Sequence, residues 1–149
     1  MSYSNLRRGR VSLSHHVYLV TIVTLQRKPL FNDLRLGRCV VNTMRDLDKA
    51  MVCTTHAFVI MPDHVHWLFA LGTELTLSKL VQRCKGNAAR KINTLLGTSA
   101  SVWQPAFHDH AIRSDESLIV LARYVIMNPV RAGLVQRIGE YPLWDAVWV

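Results

Sequence analysis

The stretch from His56 to Leu71, H-A-F-V-I-M-P-D-H-V-H-W-L-F-A-L, decides the fold. His56 to Met61 is an apolar run that reads as a strand, Pro62-Asp63 makes a turn, and His64 to Leu71 reads as the next strand. Side chains alternate across a strand, so Val65, Trp67 and Phe69 share one face while His64 and His66 share the other. The bulky apolar set suits a helix-covered core. The histidines then lie on the open face, with their rings near enough to share one ion.

The rest of the chain supplies partners for this pair of strands. His16 to Leu25 (H-V-Y-L-V-T-I-V-T-L) is a further strand candidate. From about Leu34 to Met51, the residues Leu36, Val40, Met44, Leu47 and Met51 recur at three- and four-residue steps, which predicts an amphipathic helix. Thr76 is placed to cap the next helix, whose apolar face is Leu77, Leu80, Val81, Cys84, Ala88 and Leu95, with Gly97 as its stop. A fourth strand falls within Trp103 to Arg113. Ser114 can cap a last helix, with Asp115 and Glu116 in its positive first turn and Leu118, Leu121, Ala122 and Val125 as its buried stripe. Pro129 should end that helix near Asn128. The order is strand, helix, strand, strand, helix, strand, helix. It predicts an α+β fold, a ferredoxin-like split β-α-β antiparallel sheet with helices on one face and the other face, or its edge, free for a ligand. We expect one domain over residues 1–149, with a basic tail to about residue 12 and a C-terminal tail from about residue 129.

Half of the 149 residues are hydrophobic, which excludes wholesale disorder. The longest apolar runs, Val17 to Val23 and Val65 to Leu71, are too short to span a bilayer. Met1 to Arg10 is polar and basic with no apolar leader core, so a cytoplasmic protein without a membrane partner is expected. Eighteen Lys and Arg against 10 acids give a net charge of +8, which favours a polyanionic partner. Cys39, Cys53 and Cys84 form no C-x-x-C pair, so neither a disulfide framework nor a cysteine zinc site is indicated, and buried thiols are expected.

The His64–His66 pair has two readings, an ion site or two satisfied surface or core residues. A second H-x-H, His108 and His110, has Asp109 between its histidines, so the argument from a buried back face does not extend to it. His15, His16 and His56 have no partner pattern. On the last helix Tyr124 and Asn128 are four residues apart and share a face. Tyr124 is either a half-buried packing residue or a nucleophile, and Asn128 either a helix cap or an oxygen donor to a metal. A phenol, with a pKa of about 10, is a poor nucleophile until a cation stabilises its anion. Two imidazoles and an amide oxygen, with water completing the shell, suit Mg²⁺ or Mn²⁺.

A-F-V-I-M-P-D-H-V-H-W-L-F and A-R-Y-V-I-M-N-P-V-R-A-G-L-V together resemble the REP-associated tyrosine transposases of the HUH single-strand nuclease superfamily, in which U is an apolar residue. The segments R-R-G-R, S-K-L-V-Q-R-C-K-G-N-A-A-R-K-I-N and W-Q-P-A-F-H-D-H-A-I-R are also similar to family segments, so the likeness covers nearly the whole chain. The resemblance implies that His64 and His66 are the metal histidines, that Tyr124 is the nucleophile and that Asn128 stands where relatives carry a polar ligand. It implies attack on a single-strand phosphate, leaving a 5′-phosphotyrosine and a free 3′-hydroxyl that can later rejoin strands without ATP. The implied substrates are imperfect palindromes folded as hairpins. Arg7, Arg8, Arg10, Lys79, Arg83, Lys85 and Arg90 are then the expected phosphate contacts, and Trp144 and Trp148 either stack on bases or pack against the domain. A monomer is favoured over a dimer. Rival readings are a non-catalytic module that binds hairpins and a metal-dependent hydrolase of a small phosphate, which would not need Tyr124.

Overall fold

A computed structural model describes residues 16–113 and 116–147 of the chain. Five strands, β1 (Val17–Val23), β2 (Cys53–Ile60), β3 (His64–Leu71), β4 (His108–Ala111) and β5 (Trp144–Ala146), form one sheet in the order β4-β1-β3-β2-β5. Every neighbouring pair is antiparallel. Helices α1 (Leu34–Lys49) and α2 (Leu77–Leu96) follow β1 and β3, which makes the α+β split β-α-β arrangement.

Strand β3 lies at the centre because its back face demands it. Val65, Trp67, Phe69 and Leu71 are buried against Leu36, Val40, Met44 and Leu47 of α1 and Leu77, Leu80, Val81, Cys84, Ala88 and Ile92 of α2. The polar edge of the Trp67 indole is satisfied inside this core: Nε1 donates to Thr55 Oγ1 at 3.0 Å, and Thr55 Oγ1 donates to Asp48 at 2.9 Å. Asp33 caps α1 and Thr76 caps α2, each accepting from a first-turn backbone N–H, and Gly97 closes α2 in the left-handed conformation.

Two expected core residues are outside it. Met51 is 81% exposed at a φ of 60°, because α1 stops at Lys49 and the chain must reverse into β2. Leu95 is 45% exposed, and Ile92 ends the buried stripe, because the last turn of α2 overhangs the sheet. Of the cysteines, Cys53 and Cys84 are buried and Cys39 is half-buried.

The second face is less open than expected. Helix α3 (Leu118–Ile126) lies across it, setting Ala122 and Ile126 against Ala57, Leu68, Ile112 and Ala146. Leu118 and Leu121 pack at the rim of this contact, and the seats at its centre belong to Ala122, Val125 and Ile126. Ser117, rather than Ser114, caps α3 by accepting from Val120 N. Glu116, just before it, is held outside the helix by Arg113 N and His110. Ser114, Asp115 and Trp148, like the basic N-terminal residues Arg7, Arg8 and Arg10, lie outside the described residues. Pro129 ends α3 but not the helical course: it opens the short helix α4 (Asn128–Arg131), where its missing N–H goes unneeded. The segment after α4 is bound to the sheet, with the Tyr141 hydroxyl donating to Ile60 O and β5 pairing with β2. No helix among the described residues is long and apolar enough to cross a membrane.

Candidate functional site

The β-register decides which side chains share the His64 and His66 face. His66 is paired with Thr21 on one side and Val59 on the other, and His64 with Val23. The two rings stand edge to face, with centroids 4.8 Å apart. Each is tied back through the same nitrogen. His64 Nδ1 meets Asp63 Oδ1 at 2.7 Å, and His66 Nδ1 meets Thr21 Oγ1 at 2.9 Å. Asp63 is held in turn by Arg27, whose Nη1 donates to Oδ2 at 3.2 Å. Burial works against a charge on Asp63, but hydrogen bonds and charge from His64 and Arg27 outweigh it and keep the carboxyl below its usual range. As an anion it can accept a proton from His64 Nδ1, which would leave Nε2 as the nitrogen available to an ion. His66 is driven down to about 4, first by burial and then by the charges of His64 and Arg131, so its ring is neutral at physiological pH.

Helix α3 crosses beside this row. Val125 is buried on Val59, the register partner of His66, and on Met61. Its chain neighbour Tyr124 is 60% exposed, with the phenol in solvent rather than in the core. Arg131 Cζ stands 3.8 Å from the Tyr124 ring centroid, and the same guanidinium bears electrostatically on His66. One cation therefore lies over the tyrosine and bears on His66. Asn128 Nδ2 donates to Val125 O at 2.8 Å, which ties the amide to the helix and leaves Oδ1 out of that bond.

This donor set fits a hard or borderline divalent ion. Two imidazole nitrogens and an amide oxygen, were they to meet on one ion, would leave room for water in its shell. Among the described residues no three His, Cys, Asp or Glu side chains converge, so a closed structural zinc site is not formed there.

Other expected site residues fall elsewhere. His108 and His110 lie on the same sheet face, opposite Thr21 and Leu19, but β1 separates them from His64 and His66. Two strand spacings put the pairs roughly 10 Å apart. His110 Nε2 contacts Glu116 at 3.0 Å, which ties β4 to the entrance of α3. Lys79, Arg83, Lys85 and Arg90 all belong to α2, on the opposite side of the sheet from His64 and His66. Lys79, Arg83 and Arg90 are exposed. Lys85 is turned inward, donating to Gln104 O at 2.7 Å and Ala106 O at 3.1 Å, and burial lowers its pKa. Trp144 is half-buried in β5 and packs beside Val59 and Val125.

Besides Thr21, which sits at the register position beside His66, three residues of the site were not anticipated from the sequence. Arg131 had a signal, because it follows Tyr124 by seven positions, two helical turns. Asp63 read only as a turn residue. Arg27 had none, since it reaches Asp63 through left-handed backbone at Gln26 (φ 56°) and Arg27 (φ 50°), which neither residue type announces.

With the sheet, its H-x-H strand and the helix carrying the exposed tyrosine described, the chain can be set beside known proteins. Residues 12–128 match the family model described as Transposase IS200 like, and the chain belongs to that family. It is 28% identical over 89 residues to a REP-associated tyrosine transposase of Escherichia coli K12, covering 58% of this chain and 50% of that protein. It is 28% identical over 98 residues to a putative REP-associated tyrosine transposase of Haemophilus influenzae, covering 59% and 56%. The chain thus spans about half the length of these curated relatives. Its fold is that of a REP-associated tyrosine transposase solved bound to a REP hairpin (TM-score 0.70, 22% identity, 91% of this chain and 79% of that one). A putative transposase from Deinococcus radiodurans R1 is also similar in fold (TM-score 0.56, 21% identity, 79% and 92%).

Proposed function

We propose that this chain cuts and rejoins single-stranded DNA beside hairpins, with Tyr124 as the nucleophile and His64, His66 and Asn128 as holders of a Mg²⁺ or Mn²⁺ ion. The observation that carries this reading is the convergence on Arg131, which stacks on the Tyr124 ring and whose charge reaches His66. A nucleophile and a candidate ion site thereby share one neighbour in a single chain, which supports a monomer. When bound, the ion would act as a Lewis acid on the scissile phosphate and favour the phenolate.

The residues of the chain do the rest. Asp63 and Thr21 orient the two imidazoles through Nδ1, fixing their tautomers and rotation. The seating of Val125 on Val59 sets the height of α3 over the sheet and therefore the position of the phenol. Tyr124 Oη attacks phosphorus and the P–O3′ bond breaks. The phenolic proton passes to solvent, the 3′-oxygen takes a proton from water, and a 5′-phosphotyrosine remains. Rejoining is the reverse attack by the 3′-hydroxyl. The hairpin substrate is supported by the family and by the hairpin-bound structure of similar fold.

The test is a covalent adduct. The protein is incubated with Mn²⁺ and a pool of hairpin oligonucleotides with randomised single-stranded flanks, labelled 3′ of the cleavage region, and run on a denaturing protein gel. Label retained by wild type and lost in Tyr124→Phe is the expected result. Cleavage that survives in Tyr124→Phe would show a hydrolase, and binding of a hairpin without cleavage a non-catalytic module.

A further inference from the structure

We propose that Arg131 is a catalytic residue of this site, one whose guanidinium grips the non-bridging oxygens of the scissile phosphodiester while its face holds the Tyr124 ring. The inference rests on the reading of Tyr124 as nucleophile. Arg131 is the last residue of α4, two helical turns after Tyr124, and stacks over its ring with Cζ 3.8 Å from the centroid. Stacking uses the flat face of a guanidinium and leaves its in-plane N–H donors free for another partner. Among the described residues no side-chain hydrogen bond or ion pair takes up those donors. Asp63, the carboxylate beside His64, is already committed to His64 and Arg27.

The exposed guanidinium lies over the Tyr124 ring and bears electrostatically on His66, while Asp63, the carboxylate beside His64, is already held by His64 and Arg27. An anion entering between the tyrosine and the histidines would find a planar donor fork matched to two phosphate oxygens. During attack by Oη those oxygens carry the charge, and a donor fixed in advance stabilises it at no cost of reorganisation. Because an exposed cation–π contact adds little to folding, removing it should leave the fold intact.

The test uses the oligonucleotide most efficiently cleaved from the hairpin pool, at saturating DNA, in single turnover with Mn²⁺. Arg131→Ala is expected to slow adduct formation by about 10²- to 10³-fold, with Arg131→Lys recovering part of the rate. DNA affinity measured by fluorescence anisotropy should change only a few-fold. A neutral methylphosphonate at the cleaved position should shrink the gap between wild type and Arg131→Ala at least tenfold, since it removes the charge that Arg131 would neutralise. If Arg131→Ala fails to fold by circular dichroism, Arg131→Met carries the same expectations. A variant rate equal to wild type, or a gap undiminished on the methylphosphonate, overturns the proposal while the Tyr124 reading stands. A wild-type protein that forms no adduct overturns both.

Discussion

Replacing Asp63 by alanine isolates the link between the sheet and the proposed ion site. In the structure the Asp63 carboxylate receives His64 Nδ1 at 2.7 Å and Arg27 Nη1 at 3.2 Å. Its main-chain oxygen separately accepts from Thr24 N and Oγ1, both at 3.0 Å, so the turn keeps its backbone anchor when the side chain is lost. The stability loss should therefore be small, about 0–1 kcal/mol for an ion pair this exposed. The effect on the ion should be larger. Without its acceptor the His64 ring can rotate and exchange tautomers, and loss of such an outer partner costs about 10- to 100-fold in metal affinity. That is about 1.4 to 2.7 kcal/mol of binding free energy. Asp63→Asn keeps an oxygen for Nδ1 but not the charge, so it should fall between wild type and alanine. Isothermal titration with Mn²⁺, beside thermal denaturation of each variant, reads both quantities, with His64→Ala as the lower bound. A folded Asp63→Ala protein that binds Mn²⁺ as tightly as wild type would refute the assignment of His64 as a ligand oriented by Asp63.

Three further outcomes follow from the packing. Ala122→Leu adds bulk where α3 is fully buried on Ala57 and Leu68; it should cost about 1–3 kcal/mol and lower Tyr124 adduct yield more than Leu80→Ala, which acts through the opposite face. The comparison is made well below both melting midpoints. Lys85→Met leaves the Gln104 and Ala106 carbonyls without their donor and should destabilise by about 1–3 kcal/mol. The salt dependence of its DNA binding should be unchanged, because that ammonium points inward. Gly72→Ala would set a Cβ 2.7 Å from Val52 O, a backbone atom, so a clear drop in melting temperature is expected, and none if the reversal before β2 yields freely.

The parts of this molecule legible in the sequence are those whose burial is periodic. Strand β3 has the bounds its alternation predicts, and the caps Thr76 and Gly97 were readable because each acts on the helical turn adjoining it, whereas the Asp33 cap of α1 was not anticipated. Ser114 and Ser117 offer the same cap chemistry. The choice depends on Glu116 being held by His110 and Arg113, a tertiary contact that spacing does not reveal. The same holds for β5, whose three residues pair with β2 from far along the chain. Helix α3 was legible as a helix, but its sheet-facing stripe carried no mark of which face it would cover. Within the site, His64, His66 and Tyr124 stand in recognisable patterns. Arg27 does not, because its role arises from a left-handed turn that brings it to Asp63.

The most direct test of the central claim is to locate the covalent bond. After reaction with a cleavable hairpin and nuclease trimming, trypsin should release the peptide Tyr124 to Arg131, bounded by Arg123 and Ala132, in which Tyr124 is the sole tyrosine. Mass spectrometry should find the nucleotide remnant on that peptide and fragmentation should place it on Tyr124. A remnant on any other residue, or a cleaved strand with no protein-linked nucleotide, would contradict the account.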